Sequence, residues 1–406
     1  MAAAAAEVGR RLLTPREEAL IPASADLETY FTSEQIARGA RFARPQLALA
    51  LARGALDAGA MAALVRRPPQ VLRRSIVHPV PAGAIAGAGL ACALSIPTLP
   101  LAAISRRRAK AVGLVTQSWR GWAADLGKAT AIEATLAGAA GAGALAATRR
   151  YPRAWWLPAA GASVCVAAVF AALAPVVLDP VFNDFTPLPE SEARSDVLEL
   201  ARAAGVRVGE VYSVDASRRT TAANAYVTGL GPTKRVVLFD TLLDRYGRDE
   251  VRVVVAHELA HVRNRDVQRS ILFAAVVAPA AALAVQQLSW WLSPERDSPV
   301  ALPALGLSVS LVAAPVGLAG NRLSRAVERR ADAYSLDLSR APEAFVSFER
   351  KIAIQNVADL DPPRWVRSLV ATHPSTLERI GAAVAWSRQN RDGELTPALR
   401  PTQAGS

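Results

Sequence analysis

Apolar residues in this chain gather into long unbroken runs instead of the short alternations of a protein that folds in water. A helix needs about 20 such residues to cross a hydrocarbon core. Five runs reach that length: Pro79 to Ile104, Ala129 to Thr148, Trp155 to Leu178, Ser270 to Leu292 and Val300 to Gly320. A sixth, Gln46 to Val65, has the length but carries Arg53 and Asp57, spaced to share one helix face and to turn toward a bundle interior. Gly83 and Gly87, four apart, permit close helix contact in lipid, although an alanine-rich composition accounts for them equally well.

Two stretches break this pattern and are polar enough to fold in water: Asp179 to Arg269, 91 residues, and Asn321 to Ser406, 86 residues. The first opens with the Pro-punctuated segment VFNDFTPLPE, followed by an amphipathic helix around Asp196 to Ala204 that stops at Gly205. In NAYVTGLGPTKRVVLF two β-rich runs flank Gly229, Gly231 and Pro232, which predicts a hairpin with a longer loop. Beyond Gly247 the period changes to that of a long helix, DEVRVVVAHELAHVRNRDVQRS, expected to run directly into the fifth span. The resulting fold class is mainly α, a polytopic helical membrane protein with an α+β domain made of a short β-sheet or hairpin and one long helix. Along the chain this predicts a cytoplasmic or peripheral segment (1–45), membrane helices (46–178), a first water-facing segment (179–269), two membrane helices (270–320), a second water-facing segment (321–388) and a disordered tail (389–406).

Composition agrees. With 51% hydrophobic and 20% charged residues the chain cannot be a disordered polyelectrolyte. Its net charge of +12 comes from arginines in short groups between apolar runs, where lipid headgroups and the positive-inside rule explain them; nucleic acid is not the expected partner. Cys92 and Cys165 sit within apolar runs and read as small buried hydrophobes. An Ala run followed by Arg10 and Arg11 inverts the order of a secretion signal, so internal segments are expected to provide the anchor.

The chemistry concentrates in HELAH. His257 and His261 lie four residues apart, so both imidazoles leave one helix face and can reach a single tetrahedral zinc ion, with Glu258 beside them as a base for water. The chain holds only four histidines, His78, His257, His261 and His373, which makes chance placement of two at ligand spacing improbable. A catalytic zinc takes three protein ligands and leaves a fourth position open. SRAVERRAD offers the third: Glu328 stands 67 residues after His261 (328 − 261), and Asp332 follows one turn later, placed to hydrogen-bond a ligand histidine. On spacing alone Glu328 reads equally as a solvated charge in the series Arg325, Glu328, Arg329, Arg330, Asp332.

Taken with TQSWRGW, RAWWL, FNDFTPLPE, VDASRRTTAANAY, KRVVLFDTLL and THPSTLERI, these motifs resemble the M48 metallopeptidases, and among them the integral-membrane CAAX prenyl protease 1 group. The resemblance implies a zincin-like form for the α+β domain, with His257, His261 and Glu328 as zinc ligands, Glu258 as the catalytic glutamate and Asp332 as the acid behind a ligand. It also implies that Asn224, Ala225 and Tyr226 form an edge strand that binds extended substrate, and it places His373 and Arg379 near the metal and substrate, where either would stabilise the oxyanion. Expected partners are a membrane-associated peptide or protein substrate and the bilayer. The alanine- and arginine-rich composition suggests a bacterial source, so a general membrane endopeptidase is expected in preference to one specific for prenylated substrates. Two other readings stay open, an HtpX-like quality-control protease and an inert scaffold of the same fold. Because Ser293 to Pro299 is short and nearly neutral, positive-inside reasoning puts the catalytic segments in the cytoplasm; Arg106 to Arg108, Lys110 and Arg120 agree, whereas Arg66, Arg67, Arg73 and Arg74 do not.

Overall fold

The computed structural model describes residues 1–16, 20–73, 78–229 and 234–394, with side chains as far as residue 390. Gly231 and Pro232 of the expected hairpin loop, Arg74, and 395–406 of the expected tail lie outside the described residues. Eleven longer helices carry the fold: α1 (Ala2–Leu13), α2 (Ser33–Arg66), α3 (Pro79–Ala111), α4 (Trp119–Arg150), α5 (Trp156–Val177), α6 (Glu192–Ala203), α7 (Arg248–Arg263), α8 (Asp266–Leu292), α9 (Leu302–Ser339), α10 (Pro342–Gln355) and α11 (Thr376–Glu394). Among the described residues six helices, α2 to α5, α8 and α9, are long and apolar enough to cross a membrane. All six apolar runs of the sequence fall on them.

Close approach in the bundle is built from missing side chains. Where α3 crosses α4, a Cβ on Gly83 would stand 2.7 Å from the carbonyl oxygen of Gly141, and one on Gly87 only 2.3 Å from that of Ala137. The small residues are therefore a packing device and not merely a composition bias. Gln286, buried within α8, ties two spans together: its side chain accepts from Trp156 N at 3.2 Å and donates to Arg153 O at 3.2 Å, capping the start of α5.

Beside the long helices lies a four-stranded sheet of β1 (Phe185–Pro187), β2 (Glu210–Val214), β3 (Ala225–Thr228) and β4 (Arg235–Phe239), in the order β1-β2-β4-β3. β3 and β4 pair antiparallel, as the hairpin predicts, with Ala225 opposite Leu238 and Thr228 opposite Arg235. β4 also pairs parallel with β2, which leaves β3 on an edge. Val211, Val236 and Leu238 from the sheet pack with Val197 and Leu200 of α6 and Val251, Val255 and Leu259 of α7 in one buried core. The α3–α4 connection is stitched to this layer: Val115 bridges Thr220, Thr221 N donates to Leu114 O at 3.0 Å, and Arg219 pairs with Asp125 of α4 at 2.9 Å.

Several expectations are corrected. The long helix does not run into the fifth span; it ends at Arg263, Arg265 takes the left-handed conformation (φ 56°), and α8 begins afresh at Asp266. The short sheet is present, with two strands beyond the pair read from the sequence: β1, three residues within the Pro-rich segment that reads as a turn, and β2. Arg53 is exposed instead of facing the bundle, and it makes no ion pair with the half-buried Asp57. Cys92 and Cys165 are likewise exposed, on helices whose outer faces are apolar. The N-terminal segment is not simply peripheral: Ala6 of α1 is buried against Val277 of α8 and Ala319 of α9, alongside the two spans. The tail begins later than expected, since α11 continues to Glu394.

Candidate metal centre

α7 is fixed before it presents any chemistry. Its first turn is closed by Glu250, whose carboxylate accepts from Gly247 N at 2.8 Å and is held in turn by Lys351 at 2.8 Å and Ser347 at 2.6 Å. Its apolar face is pinned in the sheet core, so the opposite stripe is turned toward the distal half of α9. Ser335 of α9 donates to Val253 O at 2.7 Å, which fixes the crossing. That crossing sets Glu328 against the histidines across a sequence gap no local pattern specifies.

At the crossing, His257 Nε2 lies 3.2 Å from His261 Nε2 and 3.2 Å from Glu328 Oε2, and His261 Nε2 lies 3.7 Å from Glu328 Oε1. One ligand atom from each of the three residues falls within 4.8 Å of the others. Glu328 Oε2 is buried and accepts no aligned hydrogen bond, the condition expected of an oxygen aimed at a cation. Two imidazole nitrogens and a carboxylate match the donor set of a catalytic zinc site with one open position. Glu258 adjoins them, half-buried and without a hydrogen bond or ion pair among the described residues; burial pushes its carboxyl pKa up, against the opposing pull of His257 and His261.

Behind each histidine stands a carboxylate clamped by arginine. Asp332 Oδ1 lies 2.9 Å from His257 Nδ1, and Arg379 grips Asp332 with Nε at 2.9 Å and Nη2 at 2.5 Å. Arg379 Nη1 also reaches Glu349 at 2.6 Å. One guanidinium thus serves two buried acids; Asp332 is held well below the usual carboxylate range, and burial pushes Glu349 up to about 7. On the other side Asp266 Oδ2 lies 3.0 Å from His261 Nδ1, and Asp266 is paired with Arg269 at 3.3 Å and with Arg330.

His257, His261, Glu328, Glu258 and Asp332 are brought together as the sequence predicts. His373 joins them at the rim, its Nε2 3.5 Å from Glu328 Oε2 and its side chain 61% exposed. Arg379 differs from expectation: its donors are committed to Asp332 and Glu349, so it backs His257 instead of facing an oxyanion. Ala225 and Tyr226 lie in the edge strand β3 with Asn224 at its entrance; Asn224 O accepts from Phe239 N at 3.0 Å, and the Tyr226 hydroxyl donates to Asp179 at 3.1 Å. Asp266, Arg330 and Glu349 were missed. Asp266 follows a helix break that no Gly or Pro marks, and Glu349 resembles any solvated charge on α10.

The sequence profile of peptidase family M48 matches residues 187–387. The chain is 34% identical over 241 residues to the uncharacterized metalloprotease YhfN of Bacillus subtilis, covering 57% of this chain and 57% of that protein, so it spans little more than half the length of that relative. It is 32% identical over 215 residues to a protease HtpX homolog of Burkholderia thailandensis, covering 48% of this chain and 74% of the relative. Among solved structures, S. mikatae Ste24p superposes with a TM-score of 0.76 at 19% identity, over 94% of this chain and 95% of that one, a likeness of fold.

Proposed function

Because the chain belongs to peptidase family M48, we propose that this metallopeptidase is an integral-membrane zinc endopeptidase that hydrolyses peptide bonds of membrane-associated peptides or proteins. The observation that carries the reading is the convergence of His257, His261 and Glu328 from two separate helices, with their ligand atoms within 4.8 Å of one another. In this reading those three residues hold the metal. Zinc, when bound, supplies Lewis acidity that polarises a carbonyl and makes water a stronger acid.

The chain's own residues do the rest. Glu258 takes a proton from the attacking water and delivers it to the leaving amine; a carboxyl with a raised pKa suits both halves of that exchange. His373, exposed at the rim, is the donor placed to stabilise the developing oxyanion, worth about 2.7 to 4 kcal/mol of barrier. Asp332 fixes the ring of His257, and Arg379 positions Asp332. Substrate main chain adds to the open edge of β3 at Asn224 to Tyr226, a mode that reads side chains weakly and so favours a broad substrate range.

The zinc site lies close to the membrane boundary, since α7 ends three residues before α8 begins and α9 carries Glu328 just past its apolar run. In this reading the catalytic segments lie on the cytoplasmic side, which the short, nearly neutral connection Ser293 to Pro299 supports. A CAAX prenyl protease 1-like arrangement is preferred to the HtpX type because four spans precede the catalytic segment and the Ste24p fold extends over nearly the whole chain. The test is Glu258→Gln: it should retain stoichiometric zinc while peptide cleavage falls to background, and cleavage equal to wild type would overturn the proposal.

A further inference from the structure

A cavity of about 820 Å³ opens between the distal half of α9, the segment 362–371 and the start of α11, with His373 on its border. Four arginines line it, Arg325, Arg329, Arg364 and Arg367, against two acids, Asp359 and Glu378. Both acids are already engaged, Asp359 by Arg44 at 2.8 Å and Glu378 by Arg329 at 2.6 Å. Arg325 is buried, donates to Ser368 O at 2.6 Å and to Ala371 O, and meets no carboxylate at ion-pair distance. The side chains of Arg364 and Arg367 have no hydrogen bond or ion pair among the described residues. The desolvation cost falls on the buried Arg325, compensated only by carbonyl dipoles, and the exposed Arg364 and Arg367 beside it leave two uncommitted guanidinium groups free to meet an anion.

The depth of the cavity narrows what that anion is. The apolar run of α9 ends at Gly320, and Arg325 and Arg329 lie one to three helical turns beyond it, roughly 7 to 14 Å along the axis at 1.5 Å per residue. Asn321 fastens the segment to the same level, donating to Leu369 O at 2.8 Å and Val370 O at 3.1 Å. Trp365, 48% exposed between Arg364 and Arg367, and the exposed Val370 give this segment the aromatic and apolar outer face of a membrane–water interface. We propose that the cavity binds the phosphate-bearing headgroup of an anionic membrane lipid, with Arg325, Arg364 and Arg367 on the phosphate and Trp365 toward the acyl chains.

The test uses the full chain in detergent, titrated with phosphatidylglycerol, phosphatidylcholine or inorganic phosphate and read by native mass spectrometry. Wild type should retain phosphatidylglycerol about tenfold better than phosphatidylcholine. The double variant Arg364→Gln with Arg367→Gln should lose that preference while keeping its zinc content and melting temperature, and the double lysine variant should recover most of it. An unchanged preference in the glutamine variant overturns the proposal. So does retention of inorganic phosphate in place of the lipid, which would make the cavity a free-phosphate site. The third contrary outcome is a variant that keeps its lipid preference but no longer distinguishes peptides with a free C-terminal carboxylate from amidated ones, which would make the arginines a substrate subsite.

Discussion

The two imidazoles of the metal centre sit one turn apart on the same helix, yet they are secured in unlike ways. His257 faces a carboxylate from a distant helix, Asp332, and behind it Arg379 and the buried Glu349; its side chain is 9% exposed. His261 faces Asp266, five residues on in the same chain, delivered by the helix break at Arg265 and held by Arg269 and Arg330; its side chain is 23% exposed. One half depends on tertiary packing of α9, α10 and α11 against α7. The other depends on the local turn between α7 and α8, with Arg330 of α9 behind it. The contrast suggests that the buried half sets the stability of the site and the other half its adaptability.

Removing the residue common to both halves should have the largest effect. Glu328→Gln takes away the acid that faces both histidines, and zinc retention in a chelator titration should fall by more than a hundredfold, with cleavage at background. Next, Asp332→Asn should weaken zinc by about a hundredfold and lower the melting temperature, because it leaves the buried Arg379 with only Glu349. Asp266→Asn should weaken zinc by only about tenfold, since solvent reaches His261 and can replace part of the lost contact. Equal effects for the two asparagine variants would erase the distinction between the halves.

The smallest effect concerns protons. Glu349 keeps its proton in the folded state up to about pH 7, whereas a carboxyl in the unfolded chain loses it near 4.5. Between those values the folded state binds more protons, so this group's contribution to stability is fullest below about 4.5 and declines as pH rises to about 7. Melting curves of zinc-loaded wild type and Glu349→Gln from pH 5 to 8 should diverge in slope, the variant declining less; parallel curves would remove Glu349 from the buried half.

The same contrast marks what was legible in the sequence. Membrane spans are read from run length and the HELAH face from a four-residue period, both local properties, and all six spans and both histidines lie on the elements expected. Asp332 was legible because it lies one turn from Glu328. Asp266 was not, because Val262 to Ser270 carries neither Gly nor Pro and the helical period continues through the break; only the left-handed Arg265 ends α7. Glu349 and the commitment of Arg379 depend on how α10 and α11 stack, which no spacing encodes. Strand β1 was hidden by its three residues, β2 pairs in parallel with β4 across a connection that no turn motif marks, and the burial of α1 depends on its packing against α8 and α9.

The central claim is that His257, His261 and Glu328 together hold one zinc ion, and zinc-edge X-ray absorption on the purified full chain tests it most directly. The account predicts one zinc per chain with two imidazole nitrogens at about 2.0 to 2.1 Å and oxygen ligands at about 2.0 to 2.2 Å, with one imidazole contribution lost in His261→Ala. A chain that folds and takes up no zinc, or a spectrum unchanged in that variant, would contradict it.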